Sequence, residues 1–230
     1  MYDHLLFDID GTLLDFMASE KWAVGEILTV LGIEPTAKAI EDYSSFNNRL
    51  WLEYELGKIT IEKLKVERFR LFFEKYGIDE DPNIGSQLYG EKLSEADFPY
   101  PDTLDVLNKI RETNIPMSII TNGITYIQKG RLKSSKIDSY FVVTAVSESI
   151  GFQKPRKEYF ERTIDLIKNS GYSANNPLVI GDSLSSDIAG AINSNLDSCW
   201  INRYNMVSDS INKPTYEIKN LYRLLKILNL

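Results

Sequence analysis

The run Leu5-Leu6-Phe7-Asp8-Ile9-Asp10-Gly11-Thr12-Leu13 sets two carboxylates, spaced Asp-x-Asp, directly after a short apolar stretch. Like charges this close are costly unless a cation or a proton neutralises them. The pair therefore suits metal binding, proton transfer or nucleophilic attack. Three further polar clusters follow: Thr121-Asn122-Gly123, then Lys154-Pro155 after Ile150-Gly151-Phe152, then Gly181-Asp182-Ser183-Leu184-Ser185-Ser186-Asp187. As a set they meet the needs of phosphoryl transfer, which is mostly positioning and electrostatic stabilisation. One carboxylate can act as the nucleophile. A second can protonate the leaving oxygen and later activate water. Further acids can hold a hard cation such as Mg²⁺, and a lysine with a hydroxyl completes an anion clamp. Phosphomonoester hydrolysis demands accelerations approaching ~10²¹, roughly 28 kcal/mol. No single group supplies that, so the full set matters more than any member.

Each residue taken alone has a plainer reading. Thr121 could cap a helix, Lys154 could be a solvated lysine, and Asp187 could cap or salt-bridge a helix. Ser183 and Ser185 read as turn and capping residues rather than nucleophiles. His4 reads as structural or exposed, and Cys199 sits in a buried-strand pattern and reads as core.

The elements that must position these groups are legible in outline. Short apolar runs at His4–Phe7, 117–120, 141–143, 178–180 and 198–201 predict strands buried on both faces. Four of them lead at once into polar residues: Asp8-Ile9-Asp10, Thr121-Asn122-Gly123, Thr144 and Gly181-Asp182-Ser183. Apolar stripes at Leu104, Leu107 and Ile110, and at Tyr159, Phe160, Ile164 and Ile167, predict intervening helices. Alternating strands and helices imply an α/β fold with a parallel, Rossmann-like sheet, whose ligands sit at the carboxyl ends of the strands. Residues 15–97 break the rhythm. They carry helical spacing, as in Ile61, Leu64, Phe69, Phe72 and Phe73, and read as a helical insertion with hinges near 13–16 and 95–101. The tail from Tyr216 to Leu230 reads as a final amphipathic helix. The expected division is a core of residues 1–14 and 98–230 with an α-helical insert of residues 15–97.

With 230 residues, the chain suits one good-sized domain or a core domain plus a smaller insert. Its net charge of −7 argues against nucleic-acid polymers and anionic membranes as partners. A small anionic substrate remains compatible, because a bound divalent cation can reverse the local field. A single cysteine excludes an internal disulfide framework and fits a reducing compartment. No apolar stretch approaches the ~20 residues that span a bilayer. The N-terminus does not read as a signal peptide, so the expected setting is cytoplasmic.

The four clusters, in this order and spacing, resemble motifs I to IV of the haloacid dehalogenase (HAD) superfamily of phosphohydrolases. The insertion after the first resembles its helical C1 cap. Gly151-Phe152-Gln153-Lys154-Pro155, Gly181-Asp182-Ser183-Leu184 with Ser186-Asp187-Ile188, and Cys199-Trp200 are similar to the YjjG-like pyrimidine 5′-nucleotidases. So are Leu50-Trp51 and Glu55-Leu56-Gly57-Lys58-Ile59-Thr60 in the insert. Two positions depart from that pattern. Gly11 stands where an acidic residue is frequent, and Lys154-Pro155-Arg156-Lys157 replaces Lys-Pro-Asp-Pro.

The resemblance implies roles. Asp8 would be the nucleophile and Asp10 the general acid/base. Thr121 and the amide of Asn122 would bind the transferring phosphoryl group. Lys154 would neutralise developing charge and hold Asp8. Mg²⁺ would be ligated by Asp8, Asp182 and the backbone carbonyl of Asp10, with Asp187 supporting it. Phe16, Asn47, Trp51 and Lys58 are the candidates for substrate contact in and beside the insert. The implied substrate is a small phosphorylated metabolite, nucleoside 5′-monophosphates first. A sugar-phosphate phosphatase or a phosphomutase would use the same core, and a receiver-like signalling module is the non-enzyme alternative. Dehalogenation would need the nucleophile but no acid for an alkoxide, so Asp10 disfavours it.

Overall fold

A computed structural model describes residues 2–207 and 211–230. Its strands are β1 (His4–Phe7), β2 (Met117–Thr121), β3 (Phe141–Val146), β4 (Pro177–Gly181), β5 (Asp197–Ile201) and β6 (Tyr216–Ile218). Its helices are α1 (Phe16–Val30), α2 (Ala37–Glu55), α3 (Ile61–Tyr76), α4 (Pro82–Glu95), α5 (Thr103–Glu112), α6 (Thr125–Ser134), α7 (Ser147–Ile150), α8 (Lys157–Asn169), α9 (Ala189–Asn193) and α10 (Tyr222–Ile227). None of these helices is long and apolar enough to cross a membrane. The chain divides into two compact units, one of residues 1–16 and 98–230 and one of residues 17–97.

The first unit is built on a six-stranded sheet of order β3-β2-β1-β4-β5-β6. Every neighbouring pair is parallel. Side chains alternate across a strand, and β1 shows what that does here. Leu5 and Phe7 pack with Val106, Leu107 and Ile110 of α5 and with Leu224 of α10 on one face. Leu6 packs with Tyr159, Phe160 and Ile167 of α8 on the other. Helices on both faces explain why these strands are continuously apolar. The strand order reverses at β1, and in such sheets the crevice at that reversal is where ligands bind.

The second unit is helical. Its helices start at side-chain caps, with Thr36, Thr60 and Asp81 accepting from backbone N–H groups ahead of α2, α3 and α4. α3 stops at Gly77, which takes the left-handed conformation at φ 62°. Leu64, Phe69, Phe72 and Phe73 of α3 are buried. The chain segments at the ends of this unit pair with each other inside the first unit: the Asp15 N–H donates to the Phe98 carbonyl at 2.8 Å.

Three local expectations are corrected. The tail is not helical from Tyr216. Residues Tyr216–Ile218 add the edge strand β6 beside Cys199, Trp200 and Ile201, and the helix occupies only Tyr222–Ile227. A three-residue edge strand is too short to leave a periodic signal. Thr144 does not end β3. It pairs with Ile119 inside the sheet, and the strand runs on to Val146. Leu104 is not on the buried stripe of α5 but 41% exposed. Thr103 takes the inner position, its hydroxyl donating to the Leu13 carbonyl at 2.7 Å.

Candidate active site

Three adjacent strands deliver the first groups. Asp8 follows β1, Thr121 ends β2, and Asp182 follows β4. The Asp8 N–H still pairs with the Ile180 carbonyl at 2.9 Å, which carries the sheet register into the site. Lys154 reaches the same point from the segment between α7 and α8. It is buried, and its Nζ donates to Asp8 Oδ1 and Asp187 Oδ1, both at 2.6 Å, and to the Ile120 carbonyl at 3.2 Å. Its main chain is fixed as well. Asn122 Nδ2 donates to the Lys154 carbonyl at 2.9 Å, and Asn122 Oδ1 accepts the Lys154 N–H at 2.8 Å. The Asn122 side chain thus holds the lysine in place.

Asp187 is turned inward by the segment after β4. Ser183 caps it, accepting the Ser186 N–H at 3.2 Å. The Ile188 N–H bonds back to the Ser183 carbonyl at 3.1 Å, a π-helical turn. The Asp187 Oδ2 accepts the Ser183 N–H at 3.1 Å. Trp200 on β5 donates its indole N–H to the Asp182 carbonyl at 2.8 Å. Gly11 is glycine for two reasons: its φ is +82°, and a Cβ there would lie 2.2 Å from Asp182 Oδ2. An acidic side chain at Gly11 would therefore collide with Asp182 in this chain.

Thr121 is braced by Tyr159, whose hydroxyl accepts the Thr121 N–H at 2.9 Å and donates to the Ala145 carbonyl at 2.8 Å. The Thr121 Oγ1 accepts from the Gly123 N–H at 3.0 Å and from Gln128 Nε2 at 2.9 Å. With its lone pairs so used, the hydroxyl offers its proton, which suits a phosphoryl oxygen. Asp10 turns its side chain towards α6, where Gln128 Nε2 donates to Oδ2 at 2.7 Å and Arg131 pairs with Oδ1. The loop beyond Asp10 is tied down by Arg203, which donates to the Thr12 carbonyl at 2.9 Å and pairs with both oxygens of Asp102.

The electrostatics are those of an under-neutralised acid cluster. Burial pushes the Asp8 carboxyl up to about 7. Lys154 offsets part of that rise, while Asp187 and Asp10 add to it. Asp182 is also raised well above the carboxylate range, by its surroundings first and then by Asp8 and Asp187. For Lys154, burial favours the neutral amine, but Asp187 and Asp8 overcome that and hold the ammonium above its ordinary value. Carboxylate oxygens of Asp8, Asp182 and Asp187 lie within 4.8 Å of one another. Fully ionised, these three carboxylates would set an excess of two negative charges against one ammonium. An all-oxygen donor set with that charge fits a hard divalent cation.

The residues expected from sequence to act together are thus brought together: Asp8, Asp10, Thr121, Asn122, Lys154, Asp182 and Asp187. Of the four candidates for substrate contact, Phe16 belongs to the first unit and Asn47, Trp51 and Lys58 to the helical one. The Phe16 ring centre lies 5.8 Å from the Arg131 guanidinium carbon. Asn47 is fully buried in the helical unit, donating to Glu20 at 2.6 Å and accepting from Arg68 at 3.1 Å. Trp51 packs edge-on against Tyr54 at 5.7 Å, and Lys58 is exposed. Gln128 and Arg131 are not singled out by the sequence, while Tyr159 enters it only as part of an apolar stripe and Trp200 only as part of the family resemblance, neither with a role in the site. Gln128 and Arg131, three apart on the helix that follows Thr121-Asn122-Gly123, carried the one available signal: two polar residues sharing a face.

A doubly wound parallel sheet with carboxylates, a buried lysine and a threonine gathered at its central strand ends defines an α/β enzyme core with an acid-rich centre. Residues 2–195 match the haloacid dehalogenase-like hydrolase model. Over 229 residues the chain is 35% identical to YfnB of Bacillus subtilis (strain 168), covering 100% of this chain and 96% of that one. It is 34% identical over 228 residues to the pyrimidine 5′-nucleotidase PynA of Streptococcus pneumoniae, covering 99% and 95% of the two chains. It is 30% identical over 227 residues to the pyrimidine 5′-nucleotidase YjjG of Escherichia coli (strain K12), covering 99% and 98%. A crystal structure of YfnB bound to magnesium matches with a TM-score of 0.91, covering 100% of this chain and 99% of that one. The chain belongs to the haloacid dehalogenase-like hydrolases.

Proposed function

We propose that the protein is a Mg²⁺-dependent phosphomonoesterase that hydrolyses nucleoside 5′-monophosphates, pyrimidine nucleotides first, through an aspartyl-phosphate on Asp8. The observation that carries this reading is the buried Lys154 ammonium shared at 2.6 Å between Asp8 and Asp187. It sits within an acid cluster suited to a divalent cation and also donates to the carbonyl of Ile120, the residue before Thr121. The substrate class follows from the relatives, two of which are pyrimidine 5′-nucleotidases.

In this reading Asp8, Asp182 and the Asp10 carbonyl hold Mg²⁺, with Asp187 in support. When bound, the cation lowers the negative charge that an incoming phosphate meets. Thr121 and the Asn122 amide orient the phosphoryl oxygens, and Lys154 keeps the Asp8 carboxylate aimed and ionised. An oxygen of Asp8 attacks phosphorus, the bond to the ester oxygen breaks, and the leaving alkoxide takes its proton from Asp10. Water then gives a proton to Asp10 and attacks the same phosphorus. The bond to Asp8 breaks, releasing phosphate and the free carboxylate. The helical unit, residues 17–97, serves as the substrate-selecting cap that the family resemblance implies, excluding bulk water. The buried Cys199 is in keeping with a cytoplasmic enzyme.

Phosphate release from CMP, UMP and dTMP, measured beside purine nucleotides and sugar phosphates, tests this. Pyrimidine monophosphates should lead, EDTA should stop release until Mg²⁺ is restored, and Asp8→Asn should abolish it. Substantial activity in Asp8→Asn would overturn the mechanism. A sugar-phosphate optimum, or isomerisation without release, would overturn the substrate class.

A further inference from the structure

Asp10 does not stand alone at the strand end. Both of its carboxylate oxygens are held from one helix: Oδ2 accepts from Gln128 Nε2 at 2.7 Å, and Oδ1 pairs with Arg131. The Gln128 amide nitrogen also donates to Thr121 Oγ1 at 2.9 Å. One side-chain nitrogen therefore fixes the spacing between the Asp10 carboxylate and the Thr121 hydroxyl.

The surroundings are cut to admit this arrangement. Gln128 and Arg131 are 2% and 0% exposed, on the same buried face of α6 as Ile127 and Leu132. Burying an amide and a guanidinium there is costly unless they are hydrogen-bonded, and leucine would pack that face at less expense. Gly123 completes the fit. A Cβ at that position would stand 2.3 Å from Gln128 Nε2, so the turn after β2 lacks a side chain where Gln128 crosses it.

We infer that Gln128 and Arg131 are positioning residues for proton transfer, a two-point clamp that aims the Asp10 carboxyl at the ester oxygen. This rests on the phosphomonoesterase reading and on Asp10 as its general acid/base. A clamp that acts through Asp10 has a particular signature. An alkyl ester such as CMP expels a basic alkoxide and needs a proton in the step. p-Nitrophenyl phosphate expels a stable phenolate and does not. The kcat/KM ratio reads the first irreversible step for each, in which the P–O ester bond breaks.

The test uses the full-length enzyme with Mg²⁺, comparing Arg131→Met, Arg131→Lys, Gln128→Met and Asp10→Asn on CMP and p-nitrophenyl phosphate. General acid catalysis contributes about 10²- to 10⁴-fold. Arg131→Met is expected to lower kcat/KM for CMP about 30- to 100-fold, with the aryl ester falling at least about tenfold less. Arg131→Lys should recover part of the CMP rate. Adding Arg131→Met to Asp10→Asn should cost nothing further, because the clamp has lost what it aims. Gln128→Met, which also releases Thr121, should show the same preferential loss on CMP even if Arg131→Met fails to fold. Equal losses on both esters, or full additivity with Asp10→Asn, overturns the inference while leaving the phosphatase reading intact. A wild-type enzyme that cleaves neither ester overturns that reading, and the clamp with it.

Discussion

Replacing Asp8 by Asn should make the metal-free protein more stable while it removes turnover. Burial raises the Asp8 carboxyl from 3.8 to about 7, with Lys154 offsetting only part of the rise. The folded value lies above the unfolded one, so the fold binds this proton more tightly and stability falls as pH rises between the two. At 1.36 kcal/mol per tenfold change, Asp8 costs the metal-free fold about 4 kcal/mol at pH 8, where it is ionised in both states, and about 2 kcal/mol at pH 5, where the fold keeps a proton that the unfolded chain releases. Asn keeps the shape and removes the charge. Lys154 is not orphaned by the change, because Asp187 Oδ1 still lies 2.6 Å from its Nζ. The assay is urea unfolding in EDTA at pH 5 and pH 8, followed by tryptophan fluorescence, for wild type and Asp8→Asn. The variant should be the more stable at both values, and its advantage should grow by about 2 kcal/mol towards pH 8. Mg²⁺ should then stabilise wild type more than the variant, since it binds the folded state with Asp8 among its ligands. An advantage that is absent at pH 8, or that shrinks as pH rises, would refute the electrostatic account of the site.

Gly181→Ala would place a Cβ 2.2 Å from the Asp187 carboxylate carbon. Asp187 must move, Lys154 loses one of its two anchors, and kcat should fall at least about 100-fold, as a misplacement near 1 Å does; wild-type kcat in that variant would count against the lysine's role. His4 is fully buried between the Ser173 carbonyl and the Ser118 hydroxyl. Burial holds its imidazole below 6.5, against the Ser173 carbonyl and Asp3, which favour the cation. Its contribution to stability is therefore complete above pH 6.5 and is lost as pH falls from there towards the lowered folded value. Because Asp8 titrates with the opposite sign, the comparison belongs in the Asp8→Asn background, where His4→Gln should flatten the loss of stability between pH 7 and pH 5; an unchanged slope would exclude His4 as its source.

Five of the strands, and the polar residues that end β1, β2 and β4, were legible because burial on both faces writes itself as a short apolar run that stops at a polar group. Lys154 was harder. By itself it looks like any solvated lysine, and its setting before Pro155 and its order among the other three clusters marked it. The structure supplies the reason it is buried: Asn122 grips its backbone while Asp8 and Asp187 take its ammonium. Gln128 and Arg131 stayed hidden because helical amphipathicity reads polar residues as facing solvent. Here they turn inward onto Asp10, a partner 118 and 121 positions away in sequence. Asn47 was legible only as a polar residue on a helix of the insert; its hydrogen bonds to Glu20 and Arg68, 27 and 21 positions away, left no local pattern.

Three glycines at strand ends share one steric task. A Cβ would lie 2.2 Å from an Asp182 oxygen at Gly11, 2.3 Å from the Gln128 nitrogen at Gly123, and 2.2 Å from the Asp187 carboxylate carbon at Gly181. Each gap admits a polar side chain from another part of the chain, and the gaps at Gly11 and Gly181 let carboxylates approach each other. Coulomb repulsion grows as that separation shrinks, so the same glycines that assemble the site raise the cost of keeping its acids ionised. Selection for stability alone would fill the gaps and spread the charges. That they stay open, at a site whose acids exceed its one lysine, is what a centre poised for an incoming cation and a phosphate requires, and it is why relaxing the cluster should gain stability where it loses activity.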